Sequence, residues 1–174
     1  MPIVDPIVGS YYLTDLHSGI YDDAGALQCH STHRFTGTLG IRRVMAGAPS
    51  ASGYAISDAR NKVLAFILFR SHPEERKMNL IDLVVHPDHQ RKGLGTMLVR
   101  RMMVGRDFDA ILTPVRESNL LGQKFLQKNG FLAYRVRHDY FKDHWAEGPE
   151  KEDAYYFVYS EHQHIIDQAM EITA

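Results

Sequence analysis

The chain has 174 residues, 44% of them hydrophobic and 24% charged, which is the composition of a folded domain rather than a disordered segment. Lys plus Arg number 20 and Asp plus Glu 21, so the net charge of -1 lacks the basic excess of a general nucleic-acid binder. The single cysteine, Cys29, excludes an intrachain disulfide and a cysteine-based zinc site, and the longest apolar run, Val63 to Phe69, is far too short to span a membrane.

Residues 1–10 hold two prolines and a Gly-Ser and read as an extended lead-in without a secretory signal, so a cytoplasmic protein is expected. Tyr11 to Leu13 reads as a short strand. Asp15 to His30 reads as a helix, with Leu16, Ile20, Ala24 and Leu27 on one face. Thr36 to Ala46 is a second helical candidate, and the Gly/Ala/Pro/Ser-rich stretch Gly47 to Gly53 reads as a loop. Three strands follow, at Tyr54 to Ser57, Val63 to Arg70 and Met78 to Val85, joined by short polar turns as an antiparallel meander. Gly93 to Arg106 reads as a helix with Leu94, Leu98 and Met102 on its buried face, then Asp109 to Val115 as a strand. Asn119 to Asn129 reads as a helix closed by Gly130, and Phe131 to Val136 and Ala154 to Tyr159 as the last strands. Strand-helix-strand order from residue 78 onward requires a parallel crossover. The tail from Glu161 carries Ile165, Ile166, Ala169 and Met170 at helical spacing.

The segment Gln90-Arg91-Lys92-Gly93-Leu94-Gly95-Thr96 follows an apolar strand and opens a helix. The first N–H groups of a helix have no intrahelical partner and sit at the positive end of its dipole, so such a corner can hold a pyrophosphate. Arg91 and Lys92 add positive charge and Thr96 a hydroxyl. The segment is not a Walker A loop, which needs Gly-x-x-x-x-Gly-Lys-Ser/Thr. Nor is it a dinucleotide fingerprint, because Leu98 stands where a third glycine belongs. The bland alternative is a helix start with a solvated basic turn.

Leu83-Val-Val-His-Pro-Asp-His-Gln-Arg-Lys-Gly-Leu-Gly-Thr-Met-Leu resembles the acetyl-coenzyme A loop of the GNAT superfamily of N-acyltransferases. Arg116-Glu-Ser118-Asn119, followed by Gly130-Phe131, resembles that family's Ser-Asn helix and the Gly-Phe after it. The resemblance covers about residues 11–160. It implies an α/β (α+β) fold: a mixed central sheet with an antiparallel N-terminal meander, splayed fourth and fifth strands, and helices on both faces. It also implies one N-acetyltransferase domain over 1–174, with 161–174 as a tail. The implied donor is acetyl-CoA. Its pantetheine would pair with the backbone of Leu83, Val84 and Val85, and its pyrophosphate would lie against Gln90, Arg91, Lys92, Gly93, Leu94, Gly95 and Thr96. Asn119 would reach the pantetheine, or would simply cap its helix.

Arg137-His-Asp-Tyr140-Phe141 and Glu152-Asp153-Ala154-Tyr155 resemble the branch of α-amino acetyltransferases that modify ribosomal-protein N-termini. That branch places a tyrosine acid where this chain has Leu126 and a glutamate base where it has Pro114, so neither role transfers. Chemistry does not demand both. An α-amine has a pKa of about 7.7–8.0 and is partly neutral at pH 7, and a thiolate of pKa about 8.5 is a tolerable leaving group. Asp82, one residue before the pantetheine stretch, and Tyr140 are the candidate catalytic groups; each is alternatively a paired carboxylate and a groove-lining ring. His138 is a neutral-pH titrator or a surface strand residue. The charged loop Asp139 to Asp153, with Trp145, suits attraction of a cationic amine or is merely solvated. His30 and His33, and His162 and His164, lack a third ligand, so no metal is expected.

The expected activity is acetyl transfer from acetyl-CoA to a primary amine, a small molecule or a peptide N-terminus, by direct attack. The chain would act as a monomer or homodimer, with no nucleic-acid or membrane partner. The rival readings are a CoA-binding module without chemistry, kept open by Leu126 and Pro114, and a nucleic-acid binder using Arg91, Lys92, Arg100, Arg101 and Arg106. The near-neutral charge weighs against the latter, and the same cations suit the 3′-phosphate of CoA.

Overall fold

The computed structural model describes residues 5–6, 11–16, 21–27, 51–142 and 151–171. The helix read at Thr36 to Ala46, and Cys29, His30, His33 and Trp145, lie outside them. The chain divides into two compact units: residues 1–72 with 80–106, and residues 73–79 with 107–174.

The first unit holds β1 (Asp5–Pro6), β2 (Tyr12–Asp15), α1 (Tyr21–Leu27), β3 (Ala51–Ser57), β4 (Val63–His72), residues 80–85 of β5 (Lys77–Val85) and α2 (Leu94–Met103). Successive strands β1 to β4 pair antiparallel, with Leu13 opposite Ile56 and Tyr54 opposite Ile67, so the expected meander is present. Every residue of β4 from Val63 to Phe69 is buried, which explains its unbroken apolar run: both faces of the strand are covered. On one face Phe66 and Leu68 join Leu16, Ala24, Leu27, Ala55, Val63 and Val84 in a single cluster. On the other, α2 packs on β3 and β4 through buried Leu94, Leu98, Val99 and Met102.

Several boundaries differ from the sequence reading. The last two strands run Leu132–Lys142 and Lys151–Tyr159, so residues 139–142 and 151–153 of the stretch read as a charged loop belong to strands. β3 begins at Ala51, inside the stretch read as a loop. Gly53 belongs there for lack of space rather than for turning: a Cβ would lie 2.7 Å from the Ile67 carbonyl oxygen and 2.8 Å from Leu16 Cδ2. Asp15 closes β2 instead of opening a helix, and Leu16 N–H donates to the Gly53 carbonyl at 2.8 Å, so Leu16 enters the core from β2.

The second unit holds residues 77–79 of β5, β6 (Ala110–Arg116), α3 (Leu120–Lys128), β7 (Leu132–Lys142), β8 (Lys151–Tyr159) and α4 (Gln163–Glu171). Lys77, Met78 and Asn79 pair in parallel with Ala110, Ile111 and Leu112, which is the crossover expected from strand-helix-strand order. Next come β8 and then β7, both antiparallel, so the strand latest in sequence lies between β6 and β7. α3 packs on β7, and α4 on β7 and β8, with Ile165 and Ile166 half-buried. Mixed pairing, helices flanking strands and the meander make this a mixed α/β fold. Among the described residues, no helix is long and apolar enough to cross a membrane, and no group of three side chains is arranged to hold a metal.

Candidate functional site

β5 delivers the chain to the Gly-rich turn. Val84 is buried and belongs to the α1-side cluster, while Leu83 and Val85 are half-buried on the opposite pleat. Asp82, two residues before Val84, shares its face and is half-buried. Beyond the strand, His86 N–H donates to the Leu64 carbonyl at 2.8 Å, and Pro87 to His89 form one 3-10 turn. The turn is braced twice. His86 Nδ1 accepts from Asp88 N–H at 3.3 Å, and Gln90 Nε2 donates to the Val85 carbonyl at 3.1 Å. Gln90 is thus a brace on β5, and the Val85 carbonyl is engaged by it. Burial, with Lys92 and His86 nearby, lowers the His89 pKa, so its ring is neutral at pH 7; it lies 3.3 Å from the Tyr11 hydroxyl.

The turn itself is left-handed at two positions, Arg91 (φ 63°) and Gly93 (φ 86°). A Cβ on Gly93 would meet nothing within 4 Å, so its glycine answers to backbone conformation alone. Gly93 precedes α2 without a side-chain cap, and the first intrahelical bond is Met97 N–H to the Gly93 carbonyl at 3.0 Å. The N–H groups of Leu94, Gly95 and Thr96 therefore have no acceptor within the helix. Arg91 and Lys92 are exposed beside them, and Leu94 and Gly95 are buried, fixing the helix end. This corner offers three unpaired donors, the positive end of a helix dipole and two cations. Not every basic residue of α2 and of the turn after it joins this corner. Arg101 stacks over Tyr54 at 5.1 Å. Arg106 stacks over Phe69 at 4.7 Å and donates to the Tyr54 hydroxyl at 2.9 Å, so both are anchored on β3 and β4.

In the second unit the two later motifs are bonded to each other. Arg116 Nη1 donates to Glu152 at 3.1 Å with both side chains largely buried, and Ser118 N–H donates to the same carboxylate. Burial raises the Glu152 pKa, but Ser118 and Arg116 outweigh it and hold the carboxyl below its ordinary value. Asp153, on the opposite pleat, accepts from Asp139 N–H at 2.9 Å and contacts His138 Nδ1 at 2.7 Å, pinning an irregularity in β7 where Asp139 is left-handed. His138 is an exposed strand residue with an ion-pair partner. Asn119 caps α3, its Oδ1 accepting from Gly122 N–H at 2.9 Å, so the capping role is realised. Leu126 is buried, and Pro114 lies within β6 opposite Tyr156; neither side chain can move a proton.

Tyr140 is 37% exposed in β7. Its ring meets Phe141 at 5.0 Å and Tyr156 at 5.7 Å, both edge-on, and Arg137 stacks on it at 5.1 Å. Tyr134 meets Tyr156 edge-on at 6.3 Å. A hydrogen bond with Tyr156, then burial, raises the Tyr140 pKa, and burial raises that of Tyr134. The sequence reading missed Tyr134 and Tyr156. Alternation along β8 was visible, but the register opposing Tyr156 to Pro114 depends on non-local pairing. His162 and His164 have ring centroids 5.7 Å apart, and His162 lies 3.8 Å from Asp109, which Arg76 clamps.

The sequence profile of the Acetyltransferase (GNAT) family matches residues 24–131. No curated protein matches the chain. The structure of ribosomal-protein-S18-alanine N-acetyltransferase from Escherichia coli is similar, with a TM-score of 0.70 and 18% identity over 86% of this chain and 93% of that one. NAA60 from Arabidopsis thaliana in complex with acetyl-CoA has a TM-score of 0.70 and 11% identity, covering 87% and 99%. A spermidine N-acetyltransferase chimera from Vibrio cholerae and hSSAT has a TM-score of 0.70 and 13% identity, covering 90% and 99%. At these identities the likeness is one of fold.

Proposed function

Because the chain belongs to the GNAT acetyltransferase family, whose profile spans more than half of it, we propose that it transfers acetyl from acetyl-CoA to a primary amine by direct attack. The acceptor is a peptide N-terminus or a small amine. The observation that carries this is the start of α2. Three N–H groups without intrahelical acceptors, beside Arg91 and Lys92, form a binding corner for the pyrophosphate of the donor. The backbone of residues 83–85 takes the pantetheine, subject to the Val85 carbonyl being released by Gln90 or left out. The amine lone pair attacks the thioester carbon, a C–N bond forms, the C–S bond breaks and the sulfur leaves as thiolate. Asp82 and Tyr140 are the groups proposed to handle the proton. Asp82 is assigned the amine side as a carboxylate, and Tyr140 the sulfur side, its hydrogen bond with Tyr156 and burial holding its phenol pKa above the ordinary value.

Thermal unfolding with acetyl-CoA tests the corner. Ligand at a hundred times its dissociation constant stabilises by about 2.7 kcal/mol, which raises Tm by roughly 2–4 °C at this size. Lys92→Glu, on an exposed side chain, is expected to remove most of the rise while leaving the unliganded Tm within about 1 °C. Absence of any rise in the wild type refutes the donor corner. A second reading, a CoA-binding module without turnover, is favoured by buried Leu126 and by Pro114. Free-thiol release with a panel of peptides and polyamines separates the two: release refutes the module.

A further inference from the structure

The turn that leads from β5 to α2 is exposed and strained, yet the donor corner needs it in one shape. Of residues 87–93 all are exposed except His89, which is half-buried. Arg91 and Gly93 are both left-handed, at φ 63° and 86°. The hydrogen bonds that brace its first half stay between neighbours: Asp88 N–H to His86 Nδ1, His89 N–H to the His86 carbonyl at 2.9 Å, Gln90 N–H to the Pro87 carbonyl at 3.2 Å and Gln90 Nε2 to the Val85 carbonyl. They fix the turn's own shape, not its place on the sheet. Its entry is placed by His86 N–H on the Leu64 carbonyl, and its exit by buried Leu94 and Gly95. Between those points the side chain that reaches back to the sheet is His89. Its ring stands edge-on to Tyr11, centroids 6.0 Å apart, and edge-on to His86 at 5.7 Å, and its Nδ1 lies 3.3 Å from the Tyr11 hydroxyl. Tyr11 immediately precedes β2, whose Tyr12 pairs with Ser57 of β3, so its backbone is held by the β2–β3 ladder.

We infer that Tyr11 and His89 form a tether that presets the Gly-rich turn for the pyrophosphate of the donor, both acting as positioning residues. This rests on the acetyltransferase reading above and concerns binding of the donor rather than the transfer step. The neutral ring makes the contact in either tautomer: a bare Nδ1 accepts the Tyr11 O–H, and a protonated Nδ1 donates to the Tyr11 oxygen. Two residues after His89 the chain enters the left-handed Arg91, and Lys92 and Gly93 follow. A fixed point at residue 89 therefore limits the paths open to the turn before the unpaired N–H groups of Leu94, Gly95 and Thr96 are reached. Without it the turn would be ordered only when ligand arrives, and the entropy of ordering would be subtracted from affinity.

The experiment is titration calorimetry of acetyl-CoA into wild type, Tyr11→Phe, His89→Ala, His89→Asn and each His89 variant combined with Tyr11→Phe, with the unliganded Tm of each. Tyr11→Phe keeps the ring and removes one oxygen. His89→Asn sets an amide oxygen near the place of Nδ1, where it accepts the Tyr11 O–H. A hydrogen bond of ordinary net strength predicts a Kd about three- to tenfold higher in Tyr11→Phe and in His89→Ala, with no further loss when the two are combined. In His89→Asn the Kd is expected to recover to within about twofold of wild type, and the recovery to disappear once Tyr11→Phe is added. Recovery that depends on the Tyr11 hydroxyl is not produced by packing, so it separates a tether from a ring that merely fills space. Wild-type binding with an unchanged Kd in Tyr11→Phe overturns the tether alone. So do additive losses, a failure of His89→Asn to recover, or an effect confined to the unliganded Tm. Should His89→Ala not fold, Tyr11→Phe and His89→Asn carry the test. No binding of acetyl-CoA by the wild type overturns the donor corner and the tether with it.

Discussion

Arg91 bears a cost that an exposed residue has no structural reason to bear. Its φ of 63° is left-handed, where a Cβ costs about 1–2 kcal/mol, and it sits two residues before Gly93 at the proposed donor corner. Arg91→Gly relieves that strain and leaves the turn intact, at the expense of a more flexible unfolded chain. The unliganded Tm is expected to stay level or rise by a few degrees, while the acetyl-CoA-induced rise shrinks; a drop in unliganded Tm would show that the Arg91 side chain is structural. Glu152 is the opposite case, a residue kept for stability. Its carboxylate and Arg116 are 14% and 9% exposed and bonded to each other, so Glu152→Ala leaves a largely buried guanidinium with one partner fewer, at about 2–3 kcal/mol in chemical denaturation. Because the folded pKa of Glu152 lies below its unfolded value, its contribution is complete above the ordinary carboxylate range and is lost as pH falls through the folded value. In Glu152→Ala, stability should therefore fall less steeply on acidification than in the wild type.

At the scale of elements, α3 shows why its boundaries were legible and its catalytic content was not. Phe131 N–H donates to the Leu126 carbonyl and Gly130 N–H to the Gln127 carbonyl, both at 3.1 Å, with Gly130 at φ 86°: a Schellman motif closing the helix. Cap, glycine stop and apolar spacing are local signals, and Asn119, Gly130 and the buried Leu126 with Phe131 all follow from them. Gly130→Ala puts a Cβ at φ 86° and 3.3 Å from the Tyr159 ring, so a loss of about 1–2 kcal/mol is expected, read by urea denaturation; a neutral result would mean the turn readily flips to another conformation. Leu126 is buried for the same reason, as an apolar anchor at the last turn, which is why a proton donor is absent from that position. Tyr140 and Tyr156 meet edge-on through two register irregularities in the β7–β8 ladder, and no local pattern encodes these. The same limit hid the start of β3. Gly53 looked like a turn residue, but the close Ile67 carbonyl and Leu16 side chain that require it come from other strands.

For the whole molecule the decisive element is β5, a continuous strand that supplies residues 77–79 to one compact unit and 80–85 to the other. Each unit anchors its share separately. In one, Val84 joins the apolar cluster of β3, β4 and α1, and His86 bonds Leu64. In the other, Met78 is buried in the parallel ladder, while Arg76 beside it binds Asp107 and Asp109 and takes the Asp109 N–H on its carbonyl at 2.6 Å. Because β5 is one continuous strand through Asn79 and Leu80, loss of either unit frees one end of it. Calorimetry is therefore expected to show one transition with equal calorimetric and van't Hoff enthalpies. If acetyl-CoA binds at the start of α2 as proposed, it should raise the melting of tyrosine signals from β7 and β8 by the same amount as the whole transition. Two resolved transitions, with only one moved by ligand, would show that β5 divides at Asn79 and that cofactor binding stabilises only the unit that carries the Gly-rich turn.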